Sequence, residues 1–336
     1  MEFIKNYMTY NSRKLTLLEK FYFFLHKKVY EYRLKNQVHF EGKYIISVGN
    51  LSAGGTGKTP LTILLAQYFL EQDKSVLICL RGYKGTFKDN LLVSEQGKIL
   101  TTSIVSGDEA YLIAFKLIEN KYKNFKVVCG KKREVLVEKY GKDCDIVILD
   151  DAFQNPTVAR DKDIVLIDVN DDPENIRLIP LGRYREPIEA LQRADAILLT
   201  RAKENPKNLE KWQSILKEFQ KPYFISEHIK EEIVPPLVEK DVVLVCGIGN
   251  PKSFVHSVRS ENLNIVKEYV FEDHHTFTNL ELEQILEHNK PIITTDKDWV
   301  RLLYNPVFLQ NRNKFHRYSV SLRINQFNQF IKLIYG

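Results

Sequence analysis

The sequence contains no apolar run approaching the roughly 18 residues that a membrane-spanning helix needs; its longest strings are short ones such as Ile146–Leu149 and Val242–Cys246. A chain that does not cross a bilayer as a helix is expected. Cysteine is scarce, with Cys79, Cys129, Cys144 and Cys246 showing neither C-x-x-C spacing nor the density of a disulfide framework. The N-terminus lacks an apolar core leading to a small-residue cleavage site, so a reducing cytosol is the expected setting. Internal repeats and low-complexity tracts are missing too, and 44% hydrophobic with 27% charged residues excludes intrinsic disorder, collagen and coiled coil. What remains is a globular chain of 336 residues, long enough for one large or two medium domains.

Positive charge is present but unevenly placed. Residues 1–37 carry eight basic and three acidic side chains, a local +5, whereas the other 299 residues carry only +1. A nearly neutral body lacks the basic face that a general nucleic-acid binder needs, so no nucleic-acid partner is expected. No feature requires an obligate protein partner. Within the basic segment Leu15, Leu17, Leu18, Phe21, Tyr22, Phe24, Leu25, Val29, Tyr32 and Leu34 recur at spacings of three and four, which predicts an amphipathic helix. It reads either as a helix packed on the protein with a solvated basic face, or as an interfacial helix whose cations attract anionic lipid. The aromatic content of Phe21–Leu25 favours the second.

From residue 44 onward, short β-branched runs alternate with helical patterns: Tyr44–Val48, Val76–Leu80, Ile146–Leu149, Ile164–Ile167, Ala196–Leu199, Val242–Cys246 and Ile292–Thr294. That rhythm predicts an α/β fold with a mostly parallel sheet. Leu91–Leu100 reads as a hairpin turning near Gly97, and the stretch closed by Pro235 and Pro236 reads as a connecting ribbon.

The strongest motif follows the first strand: Ser52-Ala53-Gly54-Gly55-Thr56-Gly57-Lys58-Thr59-Pro60, then the helical run Leu61–Leu70. Glycines let successive backbone N–H groups curl toward one anion, and the helix behind them adds its positive dipole end. Lys58 is placed to neutralise the β- and γ-phosphates of a nucleotide, and the Thr59 hydroxyl to ligate Mg²⁺. Ser52 stands where the general pattern begins with glycine. The second element of such a site is an acidic residue closing a neighbouring strand, and Asp150 and Asp151 supply two, with Gln154 close behind.

Phosphoryl transfer also needs a group to accept a hydroxyl proton, or to orient water for hydrolysis. Ser106-Gly107-Asp108-Glu109-Ala110 is the best remaining candidate, although the residues by themselves favour reading Asp108 as the cap of a helix starting at Glu109. Glu272-Asp273-His274-His275 can pair a histidine with that carboxylate; as a metal site it lacks a third ligand at helical spacing. Arg81-Gly82-Tyr83-Lys84 and Gly182-Arg183-Tyr184-Arg185 suit phosphate and sugar contacts, or are solvated turns.

These residues together resemble the tetraacyldisaccharide 4'-kinase family, the lipid A 4'-kinases. The likeness covers most of the chain: Val48-Gly49-Asn50 leading into Gly54–Pro60, Arg81-Gly82-Tyr83, Gly107-Asp108-Glu109, Leu149–Gln154, Arg185-Glu186-Pro187, Gly247-Ile248-Gly249-Asn250-Pro251 and Phe271–His275. It implies ATP- and Mg²⁺-dependent phosphorylation of the 4'-hydroxyl of a tetraacylated glucosamine disaccharide 1-phosphate, at the cytoplasmic face of the inner membrane. It also implies an N-terminal membrane-interface helix (1–37), a P-loop kinase domain (38–221), a ribbon (222–239) and a smaller C-terminal α/β domain (240–336). Carried over by position, Lys58, Asp108, His274 and Asp151 are catalytic, with Asp108 as base and His274 as its partner. Residues 52–59 bind nucleotide, Thr59, Asp150 and Asp151 serve the metal, and Asn50, Arg81, Tyr83, Glu109, Gln154 and Arg185 bind substrate. Ala152, Asn155 and Asp296 stand where the family usually has Gly, His and Glu. A rival reading, a nucleotide-dependent switch or metallochaperone-type GTPase, would show an Asn/Thr-Lys-x-Asp guanine reader; Thr200-Arg201-Ala202-Lys203 and Thr295-Asp296-Lys297-Asp298 do not fit it. A non-catalytic adaptor has to treat Asp108, Asp150 and Asp151 as mere caps.

Overall fold

The computed structural model describes residues 15–336; Glu2, Lys5, Arg13 and Lys14 of the basic segment lie outside them. The first element is α1 (Leu17–Lys35), started by a capping box in which Thr16 and Glu19 satisfy each other's backbone N–H groups. The first half of the chain continues with β1 (Tyr44–Asn50), α2 (Lys58–Glu71), β2 (Val76–Leu80), β3 (Leu91–Glu95), β4 (Lys98–Ile99), α3 (Ser103–Ser106), α4 (Asp108–Glu119), β5 (Phe125–Cys129), α5 (Arg133–Tyr140) and β6 (Ile146–Asp150). It ends with β7 (Lys162–Asp168), β8 (Ala196–Thr200) and α6 (Pro206–Glu218). The second half holds β9 (Tyr223–Val234), β10 (Asp241–Cys246), α7 (Pro251–Arg259), β11 (Asn264–Val270), α8 (Asn279–Leu286), β12 (Ile292–Thr295), α9 (Asp296–Leu302), α10 (Pro306–Gln310), β13 (Phe315–Ile324) and α11 (Phe327–Tyr335).

These strands form one sheet in the order β11-β10-β12-β13-β9-β8-β7-β1-β6-β2-β5-β3-β4. The expected mostly parallel α/β architecture is present. β1 is buried almost throughout and pairs in parallel with both β6 and β7, so the strand order switches direction beside it. In such sheets ligands bind in the crevice beyond the carboxyl ends of the strands at that switch. The loop after β1 lies there.

The stretch expected as a ribbon is one long strand, β9, parallel to β8 at its start and antiparallel to β13 along its length, from Ser226↔Ile324 to Val234↔Arg317. The hairpin expected over 91–100 is β3–β4, turning through Gly97 at φ +71°. Three strands escaped the sequence pattern for physical reasons. β11 lies at the sheet edge with its side chains mostly solvated, β13 buries His316, Arg317 and Ser319 among its apolar residues, and β5 interrupts its run with Lys126.

Helices cover both faces. On one, α2, α4 and α11 share a core with Ile46, Val48, Ile148 and Leu166 of the central strands. Thus α11, last in sequence, closes the core of the first half: Phe330, Ile331 and Ile334 are buried there, and Tyr44 donates its hydroxyl to the Ile334 carbonyl at 2.6 Å. The other face packs α6 through Trp212 and Leu216, and against that cluster rest Leu15, Tyr22 and Phe23 at the start of the chain.

Candidate active site

Gly57 precedes α2 with φ +98° and Gly54 takes φ +115°, backbone conformations that L side chains rarely adopt. They bend residues 53–58 into a cradle at the mouth of α2, whose first N–H groups have no intrahelical partner. The cradle is held from outside. Ala53 N–H donates to the Arg183 carbonyl at 2.7 Å, Arg185 N–H to Leu51 at 2.7 Å, and the Arg201 guanidinium to Gly55 at 3.0 Å. Arg201 is itself paired with Asp168. Asn50, fully buried, donates its amide to the Ser52 carbonyl at 2.7 Å and so shapes the loop from beneath.

A cleft of about 750 Å³ opens over this cradle, lined by the loop, by Arg81, Tyr83, Glu109, Asp150, Asp151 and Arg185, and from the second half by Ile248–Asn250, Asp273, His274 and Lys297. Lys58 points at Asp151 (3.6 Å), which also receives Arg185 at 3.0 and 3.1 Å. Arg185 Nη1 reaches Gln154 Oε1 at 3.2 Å, and Gln154 Nε2 in turn donates to the Asn50 carbonyl at 2.9 Å. The adjacent carboxylates differ. Burial, with the charge of Glu109, pushes Asp150 up to about 7, while its Oδ1 accepts the Thr62 hydroxyl at 2.9 Å. Burial raises Asp151 as well, but Lys58 and Arg185 override it and hold the group at about 2. The two neighbouring carboxyls are thus shifted in opposite directions, Asp150 up and Asp151 down.

Asp108 is the first helical residue of α4; the capping position belongs to Gly107, and the Asp108 side chain does not cap. It lies just behind the cleft wall, 7% exposed. Its Oδ2 is hydrogen-bonded to His274 Nδ1 at 2.8 Å and to Arg301 Nε at 2.8 Å, with a second contact from the same guanidinium. Oδ1 is buried without a hydrogen-bond partner among the described residues. Burial disfavours the charge on Asp108, yet the His274 hydrogen bond and the Lys297 and Arg301 cations outweigh it and hold the carboxyl well below its ordinary range. Tyr83 meets the His274 ring edge-on, centroids 5.5 Å apart. The two histidines diverge, for His275 pairs with Glu281 at 3.0 Å and stacks on Phe271. Among the described residues no group of three or more His, Cys, Asp or Glu is arranged to hold a metal.

A model of the tetraacyldisaccharide-1-P 4'-kinase family matches residues 13–335. The chain belongs to that family. The tetraacyldisaccharide 4'-kinase of Desulfotalea psychrophila is 36% identical over 296 residues, 82% of each chain. That of Pelodictyon phaeoclathratiforme is 32% identical over 286 residues, 79% of each. Among solved structures, LpxK from Aquifex aeolicus in complex with ATP matches with a TM-score of 0.72 and 28% identity, covering 94% of this chain and 96% of that one. A tetraacyldisaccharide 4'-kinase uses ATP and phosphorylates a hydroxyl, so the switch and adaptor readings are not favoured.

The kinase's cleft suits a nucleotide triphosphate with a divalent cation. Thr56 Oγ1 is buried there without a partner among the described residues, a Cβ on Gly55 would meet only open space among them, and the two carboxyls stand beside the loop lysine. A protein supplying so few ligands fits Mg²⁺, which keeps waters and takes phosphate oxygens. The structure places Lys58, Asp151, Arg185 and Gln154, all expected at the site, beside one another with Asp150 adjoining, and joins Asp108 to His274. Sequence reasoning missed Arg201 and Arg301. Arg301 lies four residues after Lys297 on the helix that follows an apolar strand, and that i,i+4 pair of cations was the available signal.

Proposed function

We propose that this kinase binds Mg²⁺-ATP on the Gly54–Thr59 loop and passes the γ-phosphoryl group to the 4'-hydroxyl of a lipid-linked disaccharide held between Arg81, Tyr83 and Arg185. Lys58 offsets charge on the β- and γ-phosphates, and Thr59, Asp150 and Asp151 hold the cation, which supplies further charge neutralisation when bound. The observation that carries the reading is the placement of Lys58 with Asp151 and of Asp108 with His274 around one cleft, each pair within hydrogen-bonding or ion-pair reach.

Asp108 Oδ1, buried and without a hydrogen-bond partner among the described residues, is the oxygen left to accept from the acceptor hydroxyl once closure brings the two together, while His274 and Arg301 fix the carboxylate through Oδ2. A carboxylate so strongly paired is a weak base. Phosphoryl transfer tolerates that, because its loose transition state leaves the acceptor proton in place until late. Asp108 in this reading orients the hydroxyl first and takes its proton afterwards. His274, drawn from the other half of the sheet, couples that event to closure of residues 240–336 over the kinase body, with β9 as the joint.

The substrate is a lipid, and α1 supports a membrane-surface location at the cytoplasmic face of the inner membrane. No described helix is long and apolar enough to cross a membrane. Instead α1 docks through a polar contact, buried Glu19 accepting from Arg177 (2.9 and 3.0 Å) and from Leu178 N–H (2.9 Å), and leaves Leu17, Phe21, Phe24 and Leu25 exposed. Such an apolar face flanked by Lys20, Lys28 and Arg33 fits an interfacial helix. The deciding assay measures ATP consumption with and without the tetraacylated disaccharide 1-phosphate in mixed micelles. Stoichiometric, acceptor-dependent formation of the 4'-phosphate supports the reading; acceptor-independent hydrolysis alone defeats it.

A further inference from the structure

Lys297 was not among the residues expected to act, yet from the first turn of α9 it lines the same cleft as the phosphate loop. Its neighbours are Glu109 Oε1 at 3.4 Å, His274 Nε2 at 3.5 Å, Asp273 Oδ1 at 3.8 Å and Asp108 Oδ2 at 4.0 Å. None is at the 2.7–2.9 Å of a strong charge-assisted hydrogen bond. Arg301, one turn on, behaves differently. It is tied to Asp108, to Asp298 at 2.7 Å and to the Gly247 carbonyl at 2.6 Å. The base of the Lys297 stem is firm, because neighbouring Asp296 is buried between Arg317 (3.3 Å) and Lys116 (3.8 Å) and accepts from Val320 N–H at 3.2 Å. A loosely held cation on an anchored stem thus borders the space where an anion arrives.

We propose that Lys297 is a catalytic residue that meets the equatorial oxygens of the transferring phosphoryl group. The inference rests on the kinase reading above. In the transfer, the acceptor oxygen bonds to the γ-phosphorus and the bond from that phosphorus to the bridging oxygen breaks. The electron pair stays on ADP, and the hydroxyl proton passes to Asp108. Lys297 keeps its protons throughout and contributes charge where it develops on the oxygens. Its four loose contacts are with groups that themselves border the reaction, so the side chain can exchange them for phosphate oxygens without breaking a strong bond.

The test uses the full chain and a planar phosphoryl mimic, ADP with aluminium fluoride and Mg²⁺, titrated calorimetrically against ADP with Mg²⁺ alone. Lys297→Ala and Lys297→Gln should bind ADP within about threefold of the unaltered protein but lose about 30-fold or more of the affinity gained from aluminium fluoride. Turnover should fall about 10²-fold with ATP KM within threefold, and Lys297→Arg should recover part of it. Intact aluminium fluoride enhancement in both Lys297→Ala and Lys297→Gln overturns the proposal. So does a defect confined to ATP KM, or a shift in the pH profile of kcat with the mimic still bound tightly, which would make Lys297 a tuner of Asp108. Failure of the underlying reading looks different: aluminium fluoride would then give no enhancement in the unaltered protein, or an enhancement indifferent to Lys58→Ala.

Discussion

Lys58 emerges from the phosphate loop with its side chain largely covered, yet it touches Asp151 and the cleft rather than the core. Removing it takes away charge without opening a cavity. Lys58→Ala is therefore expected to lower kcat by about 10²–10³-fold with little change in melting temperature, measured by steady-state kinetics beside thermal unfolding. Asp108 gives a prediction in pH. Its folded carboxyl lies below the unfolded value of about 3.9, so it contributes stability that is fully present above that value and is lost as pH falls through the folded one. Asp108→Asn should be the less stable protein in urea at pH 7, and the gap should narrow steadily below about pH 4. A gap that holds constant down to pH 2 would show that charge is not what Asp108 contributes. At this scale the sequence was most legible where chemistry sits in one short motif, as at Lys58 and Thr59. Arg201 was opaque because an isolated arginine reveals its partner, Asp168, only when distant segments meet, and Arg301 showed its spacing from Lys297 but not its partner Asp108.

Among the elements, α1 divides its labour by face. Glu19, counted in the sequence only as one of three acids in a basic segment, is the buried hook that fastens the helix beside Leu178. The apolar side chains that periodicity placed along one amphipathic helix are divided between two environments, with Tyr22 and Phe23 partly packed and Leu17, Phe21, Phe24 and Leu25 left in solvent. Periodicity identifies a helix but not which of two apolar faces meets the protein. Deleting residues 1–36 should weaken sedimentation with anionic vesicles and make activity depend on detergent, and raising salt should weaken vesicle binding of the intact chain by screening its exposed cations. Unchanged sedimentation after truncation would return α1 to the role of a packing helix. The central strands were readable because β1, β6 and β8 are buried on both faces and so run continuously apolar. β13 was not, since its buried Arg317 and Ser319 satisfy Glu119 and Lys116 of α4 rather than following an alternating pattern.

In the whole molecule, the two sides of the cleft belong to opposite halves of one sheet. Asp108 and His274 stand 166 positions apart and meet at 2.8 Å. If they act as a unit, Asp108→Ala and His274→Ala should each lower kcat with modest change in ATP KM, and the double variant should lose clearly less than the product of the two. Fully multiplicative losses would assign His274 to separate substrate binding. The return of α11 to the first half bears on something other than catalysis, the order in which the chain becomes a protein on the ribosome. Every strand of the nucleotide half has been synthesised by Thr200, but Phe330, Ile331 and Ile334 complete its core. Each such side chain is worth about 1.5–3 kcal/mol on burial, a large share of a typical net stability of about 5–15 kcal/mol. At about 5–20 residues per second, the nascent phosphate loop waits on the order of 10 s or more for the helix that seals its core. A chain ending at Gln326 should accordingly lose protease resistance and ATP affinity in its nucleotide half, although every residue of the loop is present.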